Sequence, residues 1–245
     1  MDDVSAARIL ITCLDLTSLN DNDTEENIIN LCKQAQTPYG KTATVCVYPK
    51  FVPLAKNLLI DTGIKVATVV NFPDGGDDLF RLEMEITNAL KYGADEIDTV
   101  FPYKEFLKGN ITLCEEFLNT AVKLCHKKAI LKIILETGEL KTTSNISTAT
   151  KLCVNHGANF IKTSTGKTPI SATPEASNAI LETIASGRKN AGFKASGGIK
   201  TIDDAKKYLI LADSIMGYKW ITPKNFRIGA SSLLNNLIDV IKRGY

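Results

Sequence analysis

Eight short apolar runs rich in β-branched residues recur along the 245-residue chain, and longer segments with helical periodicity separate them. The runs occupy residues 9–17, 43–49, 65–72, 96–102, 130–136, 160–165, 191–196 and 226–231. Strands and helices that alternate in this order are typical of a parallel sheet covered by helices. Eight such units in about 250 residues predict an α/β fold closed into a (β/α)8 barrel, the TIM barrel.

The chain is predicted to form a single domain over residues 1–245, with a short N-terminal extension before the first strand. No Pro-, Gly- or Ser-rich linker divides it, and residues 92–98 and 156–162 form a faint repeat two barrel units apart. A doubly wound open sheet is the alternative fold. Such a sheet normally has a glycine-rich turn after its first strand, where this chain has LDLTSLND.

Charge and cysteine usage limit the classes of partner. With 29 basic and 27 acidic residues, the formal net charge of +2 indicates neither a nucleic-acid nor a membrane partner. The start of the chain, MDDVSAARIL, resembles neither a signal peptide nor a membrane span. The cysteines form no CxxC pair and are predicted to be buried free thiols of a cytoplasmic protein. They are Cys13, Cys32, Cys46, Cys114, Cys125 and Cys153.

Five charged residues interrupt the otherwise apolar strand sequences. They are Asp15, Asp98, Lys132, Lys162 and Lys194. A charge in a parallel strand is costly because both faces of such a sheet are covered. The last four follow one another at intervals of 34, 30 and 32 residues, close to one barrel repeat of about 31 residues. We therefore expect them at nearly the same level of successive strands, facing one pocket.

Two interpretations of these charges compete. They form a buried ion-pair network or extend between helices as structural residues, and Lys132 fits this interpretation as well as a functional one. Lys162 and Lys194 are followed at once by loop residues, at the carboxyl-terminal rim where barrel enzymes hold their chemistry. We therefore predict catalytic roles for these two lysines, with Asp15 and Lys132 supporting the pocket.

A lysine amine attacks a carbonyl carbon only when it is neutral, and its ordinary pKa of about 10.4 leaves little neutral amine at pH 7. Burial and a second ammonium group both lower that pKa. We predict Lys162 as the nucleophile, Lys194 as the second cation and Asp98 as a proton-transfer group. Because a carboxylate beside Lys162 would raise its pKa again, we expect Asp98 to interact more strongly with Lys194 or to act through water.

Three loops at the same rim are rich in glycine and small hydroxyl residues. They comprise residues 164–167, 196–200 and 229–232. Glycine lets backbone N–H groups approach an anion, and helix N-termini at Thr201 and near Ser232 favour negative charge. Ordinary turn formation is the alternative explanation. Because loops after the seventh and eighth strands commonly bind phosphate in this fold, we predict a phosphate site.

Segments distributed over nearly the whole chain resemble the deoxyribose-phosphate aldolase family. The segments are LDLTSLN, TATVCVYP, VATVVNFP, GADEIDTVFP, LKIILETGEL, GANFIKTSTGK, GFKASGGIK and RIGASSLL. FIKTSTGK and FKASGGI are the most specific of them. The resemblance implies reversible cleavage of 2-deoxy-D-ribose 5-phosphate to D-glyceraldehyde 3-phosphate and acetaldehyde.

By this resemblance Lys162 forms an imine with the sugar, Lys194 perturbs its pKa and Asp98 joins a proton relay. The implied phosphate contacts are Gly166, Lys167, Gly197, Gly198, Gly229, Ser231 and Ser232. Lys200 stands where many relatives carry arginine, which keeps the charge but loses bidentate geometry. Some relatives use a C-terminal tyrosine as a lid, but an idle chain end explains Tyr245 equally well, so we leave it out of the site. A homodimer is compatible with the family.

Three rival functions remain open. A metal-dependent aldolase would need several histidine ligands, whereas His126 and His156 follow separate predicted helices. We therefore predict no metal and no cofactor. A pyridoxal-phosphate barrel would also need a lysine imine and a phosphate cradle. A non-catalytic phosphosugar-binding barrel would keep the loops without needing Lys162 inside the strand.

Overall fold

The computed structural model describes residues 1–244, in which eight parallel strands close into a barrel with helices outside it. The predicted TIM barrel is confirmed. In chain order the strands are β1 (Leu14–Ser18), β2 (Thr44–Val47), β3 (Lys65–Val70), β4 (Glu96–Val100), β5 (Ile130–Ile134), β6 (Phe160–Lys162), β7 (Gly192–Ser196) and β8 (Phe226–Ala230). Each strand pairs with its neighbours along the chain, and β8 pairs with β1 to close the barrel.

Eleven α-helices precede, connect or follow the strands within residues 1–244. They are α1 (Asp3–Thr12), α2 (Glu25–Gln34), α3 (Val52–Leu58), α4 (Leu79–Lys91), α5 (Tyr103–Leu107), α6 (Ile111–Cys125), α7 (Thr137–Leu140), α8 (Thr143–His156), α9 (Pro174–Ser186), α10 (Ile202–Met216) and α11 (Leu233–Arg243). Two 3₁₀ turns, Pro49–Phe51 and Tyr218–Trp220, and a small hairpin of Gln36–Thr37 and Gly40–Lys41 complete the described elements. None of these helices has the length and apolarity needed to cross a membrane.

The first strand is shorter than predicted, because residues 9–12 form the last turn of α1. An apolar β-branched run satisfies a helical period as well as a strand, so the sequence ILIT could not separate the two. Asp2 starts the helix by accepting a hydrogen bond from the Ser5 N–H. Leu10 and Ile11 are buried on its inner face. The predicted extension before β1 is therefore a helix that packs against α11.

Helix start signals in the sequence correspond to observed caps. The Thr201 hydroxyl accepts the Asp204 N–H, and the Asp204 carboxylate accepts the Thr201 N–H, which forms a capping box at the start of α10. The Thr173 hydroxyl accepts the Ala176 N–H and caps α9 ahead of Pro174. These caps fix where the helices begin just beyond the barrel rim.

The apolar core lies between the strands and the surrounding helices, whereas the barrel interior contains most of the buried charges. α11 buries an apolar stripe formed by Leu233, Leu234, Leu237 and Ile241. All six cysteines are free and buried. Tyr245 lies outside the described residues.

Replacing Thr173 with alanine should lower the free energy of unfolding by about 1 kcal/mol, because its hydroxyl satisfies the Ala176 N–H in the first turn of α9. Thr183 is the matched control in the same helix, since its hydroxyl only bonds back to the Ala179 carbonyl. Thr183→Ala should change stability by less than about 0.5 kcal/mol. Urea denaturation of both variants measures the difference, and equal losses would contradict a capping role.

Candidate active site

The predicted charged residues lie inside the barrel and belong to two neighbouring rows of the strand register. Asp98 on β4 is level with Lys132 on β5, and Lys162 on β6 is level with Lys194 on β7. Lys132, however, pairs with Phe160 across β5 and β6. Lys162 therefore lies two residues further along β6 than the residue paired with Lys132, but all three lysines meet at the Asp98 carboxylate, so the expected common pocket is present. Because the strands of a closed barrel tilt, residues paired across strands do not lie at equal height along the barrel axis.

The Asp98 carboxylate binds three lysines at once. Its Oδ1 lies 2.7 Å from the Lys132 Nζ. Its Oδ2 lies 2.9 Å from the Lys162 Nζ and 2.8 Å from the Lys194 Nζ. Asp98 thus contacts Lys162 directly rather than only through water, at nearly the same distance as Lys194. Because its charge is spread over three ammonium positions, each lysine receives only part of the stabilisation.

Among these three lysines, Lys162 is the one whose pKa is lowered. Burial is the largest cause and the Lys194 ammonium adds to it, against the opposing effect of Asp98. Burial also acts on Lys194 and Lys132, but the carboxylates around them outweigh it and raise the pKa of both. The pKa of Asp98 lies well below its usual range, because the lysines outweigh the effect of burial. The site therefore disfavours the ammonium form of Lys162 more than that of the other two lysines.

Two charged groups that the sequence analysis missed lie deeper in the barrel. Glu96 is 2.6 Å from the Lys132 Nζ and 2.9 Å from the Arg227 guanidinium. Arg227 also lies 2.5 Å from Asp15, which in turn is 2.6 Å from the Lys194 Nζ. The ion-pair interpretation thus describes Lys132 and Asp15. Glu96 could have been found, since it precedes Asp98 by two residues and therefore shares its strand face.

A cavity of about 220 Å³ opens at the carboxyl-terminal rim, directly above Lys162. It is lined by every residue predicted to contact phosphate, namely Gly166, Lys167, Gly197, Gly198, Gly229, Ser231 and Ser232. Further lining residues were not predicted as phosphate contacts: Thr17, Leu19, Asn20, Thr165, Ser196, Ile199, Lys200 and Ala230. A wider depression of about 470 Å³ lies near the start of β5 and contains none of the predicted site residues.

The cavity wall combines glycine turns with an uncapped helix start. Gly197 and Gly198 both have positive φ, a conformation that L side chains rarely adopt, and they turn the backbone after β7 around the cavity. A Cβ at Gly229 would lie 2.8 Å from the Lys194 side chain, so only glycine lets that lysine cross β8. Ser232 begins α11 without a side-chain cap within the described residues. The first N–H groups of α11 therefore remain available to an anion.

The loop of residues 164–167 is held by Glu136, a buried carboxylate that the sequence analysis also missed. It accepts hydrogen bonds from the Thr165 N–H and hydroxyl and from the Thr168 hydroxyl. Burial raises its pKa. From the other end of the loop, the Lys167 Nζ donates to the Leu19 carbonyl across the cavity at 2.7 Å. Position at the end of a strand, just before a loop, was the sequence signal for Glu136.

The remaining side of the interior is apolar. Cys46 packs there with Leu19, Ala67 and Val69, and burial raises the pKa of its thiol. The predicted core thiol thus lies close to the lysines. In the described part of the chain, no three His, Cys, Asp or Glu side chains are grouped to hold a metal ion.

Comparison with known proteins places these features in a family. The sequence model of the DeoC/LacD family of aldolases matches residues 9–237. A provisionally assigned deoxyribose-phosphate aldolase from Coccidioides immitis is 30% identical, with a TM-score of 0.82 and coverage of 94% of this chain and 85% of that one. A provisionally assigned deoxyribose-phosphate aldolase from Toxoplasma gondii is 26% identical, with a TM-score of 0.86 and coverage of 98% and 95%.

A third similar structure supports the fold alone. The deoxyribose phosphate aldolase from Aeropyrum pernix is 24% identical, with a TM-score of 0.79 and coverage of 100% of this chain and 98% of that one. The family match extends from the end of α1 into α11 and so includes all eight barrel strands. Together with the closed barrel, it shows that the chain belongs to the DeoC/LacD family of aldolases.

Proposed function

We propose that the protein is a class I aldolase that reversibly cleaves 2-deoxy-D-ribose 5-phosphate to D-glyceraldehyde 3-phosphate and acetaldehyde. The observation that carries the proposal is the position of Lys162. Among the barrel lysines of the described chain, it alone lines the rim cavity, and it is the one with a lowered pKa. A neutral amine that faces an anion-binding cavity suits imine formation with a phosphorylated aldehyde.

The reaction begins when the Lys162 amine adds to the C1 aldehyde of the sugar and water leaves. The protonated imine then accepts the electrons of the C2–C3 bond, while a base removes the proton of the C3 hydroxyl. D-Glyceraldehyde 3-phosphate leaves, and an enamine of acetaldehyde remains on Lys162. Protonation at C2 and hydrolysis release acetaldehyde and restore the amine. These reaction steps would serve the breakdown of deoxyribose phosphate.

Asp98 and Lys194 are the proposed proton-transfer groups. Asp98 accepts a hydrogen bond from Lys162 and another from Lys194. The three groups are thus close enough for a proton relay through an ordered water. Lys194 also keeps a second positive charge beside the amine, which opposes protonation of Lys162. Asp15 and Lys132 hold these two residues from below.

The 5-phosphate is proposed to bind between the three rim loops. Gly197, Gly198 and the uncapped first turn of α11 offer backbone N–H groups. The ammonium groups of Lys167 and Lys200 add positive charge at the cavity wall. Because the loops lie above Lys162, the phosphate would anchor the sugar with its aldehyde end toward the amine.

The remaining predictions concern the setting of the enzyme. We propose that it forms one domain and works in the cytoplasm, since all six thiols are free and a reducing compartment keeps them so. Its predicted partners are the phosphosugar and aldehyde substrates, with neither nucleic acid nor membrane. A homodimer remains a prediction. The similar deoxyribose phosphate aldolase from Aeropyrum pernix has a tetrameric structure.

Borohydride reduction in the presence of deoxyribose 5-phosphate should attach the sugar carbon skeleton to Lys162, because reduction traps an imine as a stable amine. Peptide mass mapping identifies the modified lysine. A Lys162→Leu variant and a reaction without sugar are the controls, and neither should be modified. Modification at another lysine would overturn the assignment, and a folded protein that is never modified would favour a non-catalytic binding barrel. Absorption near 400 nm would instead indicate pyridoxal phosphate.

Lys194→Leu should reduce kcat/KM by about a hundredfold or more, the typical contribution of a proton-transfer group. It also removes the second cation and leaves Asp98 freer to stabilise the Lys162 ammonium, so the pKa of Lys162 should rise. Since the neutral amine reacts, the acidic limb of the kcat/KM profile should move to higher pH. Lys189→Leu, which changes an exposed lysine far from the cavity, is the control. Full turnover of Lys194→Leu would refute its role.

Ser232→Asp tests the phosphate site without removing the start of α11, because aspartate is a good N-cap. Its carboxylate would repel a phosphate bound there, so KM for deoxyribose 5-phosphate should rise at least about tenfold, or 1.4 kcal/mol. KM for unphosphorylated deoxyribose should stay unchanged. Ser232→Asn, a neutral residue of the same shape, should affect KM much less. Equal effects on the two sugars would place the phosphate elsewhere.

A further inference from the structure

The buried charges of the barrel form one continuous ion-pair network. Within residues 1–244 its members are the carboxylates Asp15, Glu96 and Asp98 and the basic groups Lys132, Lys162, Lys194 and Arg227. Each is at most 4% exposed, so water contributes little to their solvation. Three negative charges therefore face four basic groups. The interior is electrically balanced when one of the basic groups is neutral.

Contacts within the network indicate which basic group is neutral. Lys132 lies within 3.4 Å of all three carboxylates. Lys194 and Arg227 each contact two of them. Lys162 contacts Asp98 alone, through an oxygen that it shares with Lys194. Lys162 is thus the least stabilised as a cation and the first to lose its proton.

The lower end of the network is closed by Arg227 and Glu96. The Arg227 guanidinium binds Glu96 through both terminal nitrogens, at 2.9 and 3.2 Å, and one of these nitrogens also binds Asp15. It further donates to the Pro223 carbonyl and lies over the Phe160 ring, 5.5 Å from its centroid. Neither Arg227 nor Glu96 lines the rim cavity. Contact with substrate therefore does not explain this buried pair.

We propose that Glu96 and Arg227 are positioning residues that set the protonation state of Lys162 by completing the charge balance of the barrel interior. The proposal deepens the proposed imine chemistry and rests on it for its catalytic meaning. Arg227 is level with Lys194, and Lys194 is level with Lys162. The backbones of Arg227 and Lys162 are thus two strand spacings apart, roughly 10 Å. At this separation Coulomb coupling in a protein interior amounts to about one pH unit.

Other titratable groups near Lys162 do not change in the test. They are the Cys46 thiol on β2 and the Glu136 carboxyl after β5, beside the Asp98 and Lys194 contacts already described. Burial keeps the thiol protonated by raising its pKa. Glu136 is held by Thr165 and Thr168 rather than by the network. Differences among variants of Glu96 and Arg227 therefore report on the network.

The test measures the pKa of Lys162 without any sugar, by limited acetylation with acetic anhydride across a pH series and mass quantification of the Lys162 peptide. Arg227→Met removes a cation, so the pKa of Lys162 should rise by about one unit. Glu96→Gln removes a carboxylate, so it should fall. The double variant removes both charges and should return the pKa to its wild-type value, as should Arg227→Lys, which keeps the cation. The acidic limb of kcat/KM should move in step.

A merely structural role would destabilise the variants, as thermal unfolding would show, but would not give shifts of opposite sign that cancel in the double variant. A pKa of Lys162 that stays constant in folded Glu96→Gln overturns the inference, as does a double variant that does not return to the wild-type value. If Arg227→Met fails to fold, Glu96→Gln and Arg227→Lys decide the question. Acetylation needs no substrate, so the two proposals can fail separately. If the variants show these shifts but the wild type never forms an imine with the sugar, the proposed function is refuted and the inference stands.

Discussion

The sharing of one carboxylate among three lysines is the constraint on which the interior of this barrel depends. A buried ammonium group without a partner is strongly disfavoured, and so is a buried carboxylate. Asp98 meets this requirement for Lys132, Lys162 and Lys194 together. Because it cannot stabilise three full positive charges equally, the lysine with the fewest further partners has the lowest pKa. Structural pairing and chemical activation of Lys162 thus follow from the same contacts.

Barrel closure decides which lysine faces the cavity. Lys162 lies two residues further along β6 than the residue paired with Lys132, so one amine lines the rim cavity while the other is enclosed by carboxylates. The same closure brings β8 next to β1, which joins Arg227 to Asp15 across most of the chain length. The rim loops then surround Lys162 with glycine backbone and helix N-termini. Lys162 and the glycine-rich rim loops are adjacent for this reason.

Much of the site was accessible from the sequence, because charges in apolar strands are costly and therefore conspicuous. That reasoning found Asp98, Lys162 and Lys194, and the glycine-rich loops beside them. It missed Glu96, although the two-residue period of a strand places it on the same face as Asp98. It also missed Arg227, Glu136 and the helical nature of residues 9–12. Glu136 could have been noticed from its position at the end of a strand, but the role of Arg227 depends on partners distant in the chain. A short apolar run does not reveal the helical period of residues 9–12.

The sequence by itself determined the eightfold alternation, the order of strands and helices, and the residue types that meet at the carboxyl-terminal rim, since periodicity and spacing are local properties. Only the tertiary structure decided that Asp98 touches Lys162 directly, and that Lys132 is paired rather than free. It also decided the relative heights of the lysines, because these depend on barrel stagger. The protonation of Lys162 depends on distances among residues far apart in the chain, and folding alone sets those distances.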